Sequence, residues 1–251
     1  MRKNVLVPLL FILILLAVGI LYWYYLAPPA TFPDQEKLEA ILSNPYNRVE
    51  VAEIQDMIFL DDKHVYIPFI TQDEGHGISL WEWKKHEWQL SGFSIGNMPK
   101  VWKIDSEDPS SHYIMWNFHP ENNLDYLTFF LIKERGFSVT EGKQHYEPGI
   151  QMDYRAEARE KSYGYTSIPS DWQKYIEVDN KLLAAMNDSL FADFFPPAQY
   201  YFGWQSTSID GTIEYPSYPD NNGFGSGGQS TDTIRFLNEN EIYLNETGSS
   251  E

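Results

Sequence analysis

The chain has 251 residues, with 36 acidic and 18 basic side chains, a formal net charge of −18 and no cysteine. That charge repels phosphate backbones, so no nucleic acid is expected as a partner. The lack of cysteine excludes a disulfide framework and thiol chemistry, leaving stability to a core built from 17 Tyr, 15 Phe and 8 Trp.

In chain order, residues 1–4 read as a short cytoplasmic N-terminus. Val5–Leu26 is an uninterrupted apolar and aromatic run, long enough as a helix to match a hydrocarbon core of about 30 Å. It ends in Tyr22, Trp23, Tyr24 and Tyr25, with Arg2 and Lys3 at its other end. Residues 5–26 are therefore expected to be a transmembrane helix with the lipid bilayer as its partner. The flanking basic residues set the N-terminus inside the cell membrane and the rest outside, a single-pass signal-anchor topology. A cleaved signal peptide fits less well, because the run exceeds the usual apolar stretch of about 7–15 residues and the sites near Ala27 and Ala30 are poor.

Residues 27–33 form a Pro-rich spacer. Asp34 then has the chemistry of a helix N-cap, with Leu38, Ile41 and Leu42 at helical spacing and Asn44-Pro45 as the stop. From Val49 to about Thr140 the period becomes strand-like. Met57–Leu60 and Val65–Ile70 flank polar turn residues, and the next hairpin has a definite register. A two-residue turn at Lys85-His86 sets Trp83 opposite Trp88, Trp81 opposite Leu90, Lys84 opposite Glu87 and Glu82 opposite Gln89. A third hairpin runs from Tyr126 to Thr140. A weak self-similarity at an offset of 48 links HVYIPFITQDE from His64 with HYIMWNFHPEN from His112. Two copies are too few for a closed propeller, so an antiparallel meander is the expected arrangement.

Ser170 and Gln173 stand in capping-box spacing before a helical stripe that continues to Phe194, with Asp179 as a point where the helix could break. Strands are expected at Tyr200–Gln205, Thr212–Tyr215, Thr233–Leu237 and Glu241–Leu244. Pro216–Thr231 reads as a polar loop. The fold class is thus α+β: a transmembrane helix, then a β-rich ectodomain over residues 34–244 with a short N-terminal helix and a helical segment near 170–195. Residues 245–251 are expected to form a disordered tail.

Motifs that name a reaction are missing: there is no G-x-S-x-G, S-x-x-K or H-E-x-x-H pattern and no phosphate-binding glycine loop. Trp81, Trp83 and Trp88 share a hairpin face. Exposed, they make a platform for sugar rings; the commoner outcome is a buried sheet face. His64, His76, His112 and His119 could hold a transition metal if their strands are neighbours, although turn positions suit solvated histidines equally well. Oxygen clusters at Asp61-Asp62, Gln72-Asp73-Glu74 and Asp220–Gly223 lack calcium-loop spacing. No cofactor is required, and a divalent metal is left open. The expected function is a binding or interaction domain for an envelope protein or wall polymer; the alternative is an envelope hydrolase acting on glycans, which needs only two positioned carboxylates.

Overall fold

The computed structural model describes residues 3–25, 27–44, 47, 49–140, 143–187, 199–218, 224–226 and 230–242. Helix α1 covers Lys3–Tyr25, and its side chains from Leu9 to Trp23 stand exposed. Among the described residues no helix is long and apolar enough to cross a membrane. The expected transmembrane helix, the single-pass signal-anchor topology and the cell-membrane location are corrected accordingly. Among the described residues the chain is β-rich, with three α-helices and mainly antiparallel sheets.

Helix α2 spans Gln35–Leu42, and Asp34 caps it by accepting from the Lys37 backbone N–H at 3.0 Å. The first sheet follows: β1 (Val51–Ile54), β2 (Ile58–Phe59), β3 (His64–Thr71), β4 (His76–Lys84) and β5 (Glu87–Ile95), joined at its edge by the later β14 (Phe224–Ser226). The expected register of the Trp hairpin holds at Trp83↔Trp88, Trp81↔Leu90, Lys84↔Glu87 and Glu82↔Gln89. Lys85 and His86 both take positive φ, 53° and 65°, the geometry that lets a two-residue turn follow the twist of its strands.

A second sheet combines β6 (Lys100–Lys103), β7 (His112–Asn117), β12 (Tyr163–Ser167) and β15 (Thr231–Thr233) in the order β12-β7-β6-β15. A third combines β8 (Leu124–Lys133), β11 (Ile150–Glu157), β13 (Tyr201–Ser208) and β16 (Arg235–Phe236) in the order β11-β8-β13-β16, with β13 and β16 parallel. Strands β9 (Gly136–Thr140) and β10 (Lys143–Glu147) form a separate ribbon. The meander is confined to the first sheet, where β3, β4 and β5 pair in chain order, and the 48-residue similarity does not survive as architecture. Strand β3 pairs with its successor β4, whereas β7 and β8 diverge into different sheets.

Alternation along the strands explains the stacking. Val65, Ile67 and Phe69 of β3 face α2 with Leu38 and Leu42. Tyr66 turns the other way, against Trp102 of β6 and Met115 of β7. Ile114 and Trp116 of β7 then face Leu127, Phe129 and Leu131 of β8, and Phe130 and Ile132 look outward to Leu237. The layers run α2, first sheet, second sheet, third sheet and C-terminal segment. Burial on both faces gives the near-continuous apolar runs of β3 and β7, and each fully buried Leu, Ile or Phe contributes about 1.5–3 kcal/mol.

Helix α3 (Ser170–Asn187) closes one end of the core between the second and third sheets through Trp172 and Ile176. It starts at Ser170 itself. Gln173 folds back to donate to the Ile168 carbonyl at 2.8 Å instead of forming the expected capping box. Asp179 does not break it. The carboxylate is 2 % exposed and accepts from Lys133 Nζ at 2.7 Å. The expected continuation to Phe194 lies outside the described residues, as do Leu244 and residues 245–251. Thr212–Tyr215 is reduced to a single bridge between Thr207 and Ile213. Glu239–Glu241 is a 3-10 turn, where a strand was expected from Glu241.

The first two sheets are stitched by buried polar groups. Asn117 Nδ2 donates to the carbonyls of Phe69 (3.2 Å) and Gly77 (2.8 Å) and to Gln55 Oε1 (2.7 Å). Tyr66 donates its hydroxyl to the Trp116 carbonyl at 2.8 Å. Gly77 is required at this junction, because a Cβ there would lie 2.4 Å from the Phe69 ring. Asn117→Asp sets a carboxylate against three acceptors. The expected loss is about 3 kcal/mol in urea unfolding at pH 7, and less near pH 4, where the introduced carboxyl can be protonated and donate. An unchanged midpoint at pH 7 would show that the stitch is not a stability element.

Candidate functional site

Strands β11 and β12 follow one another but do not pair. The turn between them carries the chain from the open edge of the third sheet to the open edge of the second. Between them lies a groove of about 570 Å³. One wall is Tyr154, Arg155 and Glu157 of β11, the other Tyr163, Gly164, Tyr165 and Thr166 of β12, with Asp56 and Ile58 from the first sheet at the rim and Glu160 and Lys161 at the turn. Thr166 Oγ1 and the Tyr154 hydroxyl approach across the gap to 3.4 Å.

The floor is Trp116, 4 % exposed, whose Nε1–H has no acceptor among the described residues. Gly164 makes this possible: a Cβ at that position would come within 2.3 Å of the Trp116 ring. Trp172 and Trp204 also lack indole partners among the described residues, but of the three it is Trp116 that lines the groove.

The polar groups are held from below. Tyr163 donates to Asp56 Oδ2 at 3.1 Å. Burial, reinforced by the Asp56 carboxylate, raises the Tyr163 hydroxyl above its ordinary pKa. Lys161 lies over the Tyr163 ring at 5.2 Å, and Arg155 over the Tyr126 ring at 3.9 Å. Tyr165 is 44 % exposed. The groove therefore offers aromatic faces, hydroxyls and three carboxylates (Asp56, Glu157 and Glu160), with both cations already engaged on rings.

The residues expected from sequence lie elsewhere. Trp81 is fully buried and donates to Ser79 Oγ at 3.0 Å. Trp83 and Trp88 are half-buried. Phe32 of the Pro-rich spacer packs edge-on against Trp81 and Trp88 at 6.0 and 4.7 Å, and Trp88 Nε1 donates to the Ala30 carbonyl at 2.9 Å. Trp81 and Trp88 are therefore covered by the chain's own spacer, and Trp83 packs edge-on against Trp88 and His86.

Of the four candidate histidines, the fold brings His76 and His119 together, ring centroids 4.9 Å apart, with the Tyr218 ring tilted against His119 at 4.5 Å. His64 is held by Asp61 at 2.9 Å. His112 sits apart, with Nε2–H donating to the Asp105 carbonyl at 3.0 Å. Among the described residues no group of three or more His, Cys, Asp or Glu is placed to hold a metal. Asp61 is spent on the turn it caps, accepting from Lys63 N–H at 2.7 Å, and Asp220–Gly223 fall outside the described residues.

Sequence reasoning missed Asp56, Trp116, Tyr154, Tyr163 and Tyr165. The alternation in Tyr163-Gly164-Tyr165-Thr166-Ser167 was the available signal for an exposed edge strand. Nothing in it reveals that Tyr154 lies opposite. Comparison of the chain with protein-family models, curated proteins and solved structures gives no match, so the functional reading rests on this geometry.

Two outcomes follow from the buried titratable groups. Lys133→Met strands the Asp179 carboxylate and is expected to cost about 3–5 kcal/mol in chemical unfolding, whereas Lys133→Met with Asp179→Leu should recover most of it; equal losses in both would show that the pair does not hold α3. Burial lowers the pKa of His76 and of His112 below the ordinary histidine value. The unfolded chain then takes up protons first as pH falls below about 6.5. Stability is complete above that pH and declines below it. Tm followed from pH 8 to 5 should drop below about 6.5, with a shallower slope in His112→Asn; an identical slope in the variant removes His112 as the cause.

Proposed function

We propose that the chain is a non-catalytic binding module whose site is the groove between β11 and β12. The observation that carries this reading is the groove itself. Two strand edges that have no further strand partner among the described residues converge on a cleft lined by tyrosines and charged groups, over a buried indole N–H that likewise has no acceptor among them. Concave sites with aromatic walls and a few convergent polar groups are the usual form of a ligand site.

The hydrolase alternative gains no support from the described residues. A general acid needs a carboxyl in apolar surroundings facing a cleft. The carboxylate that is buried, Asp179, is ion-paired with Lys133 and does not line the groove.

Backbone amide and indole N–H signals, recorded while the full chain is titrated with a panel of extended peptides and neutral oligosaccharides, test the reading. The expected result is a ligand that perturbs Asp56, Tyr154, Tyr163, Tyr165 and the Trp116 indole, with no turnover. Tyr165→Ala should weaken it about tenfold or more while moving Tm by only about 2 °C, as an exposed side chain allows. Hydrolysis of any oligosaccharide, or perturbation confined to other surfaces, overturns the reading.

A further inference from the structure

We infer that the groove takes an extended, basic polypeptide segment, which adds as a strand to the free edge of β12; the inference rests on the binding reading above and specifies its ligand. The register shows which backbone groups are available. Ile168 N–H donates to the His112 carbonyl at 3.1 Å and Phe118 N–H to the Ser162 carbonyl at 2.8 Å. In an antiparallel ladder, hydrogen-bonded pairs alternate with non-bonded ones. With Gly164 opposite Trp116 and Thr166 opposite Ile114, these residues bond to β7, and Tyr163 and Tyr165 turn their N–H and C=O groups to the side where no strand lies among the described residues.

Free edges are usually blunted by lysine, proline, a bulge or a cover. Strand β12, Tyr-Gly-Tyr-Thr-Ser, carries no charge and no proline, and no register shift interrupts its pairing with β7. The groove beside it is open space of about 570 Å³. The opposite wall differs. Strand β11 turns the backbone groups of Asp153, Arg155 and Glu157 to its open side, by the same parity from Ala158 N–H to the Asp125 carbonyl at 2.9 Å. Its alternating charges make it a poor template and a good wall.

A strand laid on β12 projects alternate side chains toward Asp56 and Ile58 on one side and toward Tyr154 on the other. The first row meets the Asp56 carboxylate beside Ile58 and the second the Tyr154 ring, with Glu157 and Glu160 at the border of the groove. The cations in the groove, Arg155 and Lys161, lie over tyrosine rings, and the whole chain carries −18. Charge complementarity therefore selects a basic segment. The same charge opposes a second copy of this chain pairing edge to edge.

The test uses the full chain and a blocked peptide of four Lys-Val repeats as the probe, with three controls: the same peptide N-methylated at alternate residues, its Glu-Val counterpart, and a neutral oligosaccharide. Fluorescence anisotropy gives affinity, and amide hydrogen exchange reports the edge. The expected result is binding of the Lys-Val peptide, with exchange at Tyr163 and Tyr165 slowed about tenfold or more. N-methylation keeps the charge but removes the ladder, and should weaken binding about tenfold or more. The Glu-Val peptide should not bind. Tyr165→Pro deletes an edge N–H that β7 does not use, and should weaken the Lys-Val peptide while retaining the β7 pairing. Equal binding of the N-methylated peptide, or no slowing at Tyr163 and Tyr165, overturns the inference. Binding of the oligosaccharide in the groove without the peptide also overturns it, but leaves the binding reading standing. Failure of every probe to perturb the groove counts against both.

Discussion

Asn117 sits where the fold could most easily come apart. Two antiparallel sheets that stack through Tyr66, Trp102 and Met115 have a non-directional apolar interface, which tolerates sliding. The Asn117 amide removes that freedom by reaching the carbonyls of Phe69 and Gly77, residues that are themselves paired across β3 and β4. Tyr66 works in the opposite direction, from the first sheet to the Trp116 backbone of the second. Each bond is modest in net energy, but a buried partner left without its bond is costly, so only one registration of the sheets satisfies the polar groups.

That registration carries through to the groove. Asn117 and Trp116 are adjacent on β7 and point to opposite faces, one to the first sheet and the other to the third. Fixing Asn117 therefore fixes the Trp116 indole beneath Gly164 and sets β12 as the edge of the second sheet. The Asp56–Tyr163 bond ties the first sheet to that same edge. Gln55, next to Asp56, accepts from Asn117 and donates to Ser162, next to Tyr163. The groove is thus bounded by residues of all three sheets, and its width depends on the stitch between the first two.

Local features were legible. The α2 cap at Asp34 and the Trp hairpin register depend on neighbours a few residues away, and both appear as the sequence implies. Features set by distant partners were not. The 48-residue similarity reproduces alternation and a shared histidine but says nothing about strand partners, so β7 and β8 separate where β3 and β4 pair. Asp179, on an apolar helical stripe, looked like a break; Lys133, 46 residues earlier, neutralises it. The three tryptophans looked like a platform or a core face, and Phe32 and Ala30 of the spacer decide that Trp81 and Trp88 are covered.

Composition and local pattern were enough for an acidic, cysteine-free, aromatic-cored chain that repels polyanions, together with its capped helix and its clearest hairpin. These follow from composition, hydrogen bonds within one turn and the two-residue period of strands. Tertiary structure alone decided that the candidate histidines are divided between separate places and that two strand edges converge over Trp116. The physical reason is that burial and edge exposure are properties of the partner. A strand's pattern shows which side chains share a face, but the sheet or the absence of one lying opposite comes from residues far along the chain.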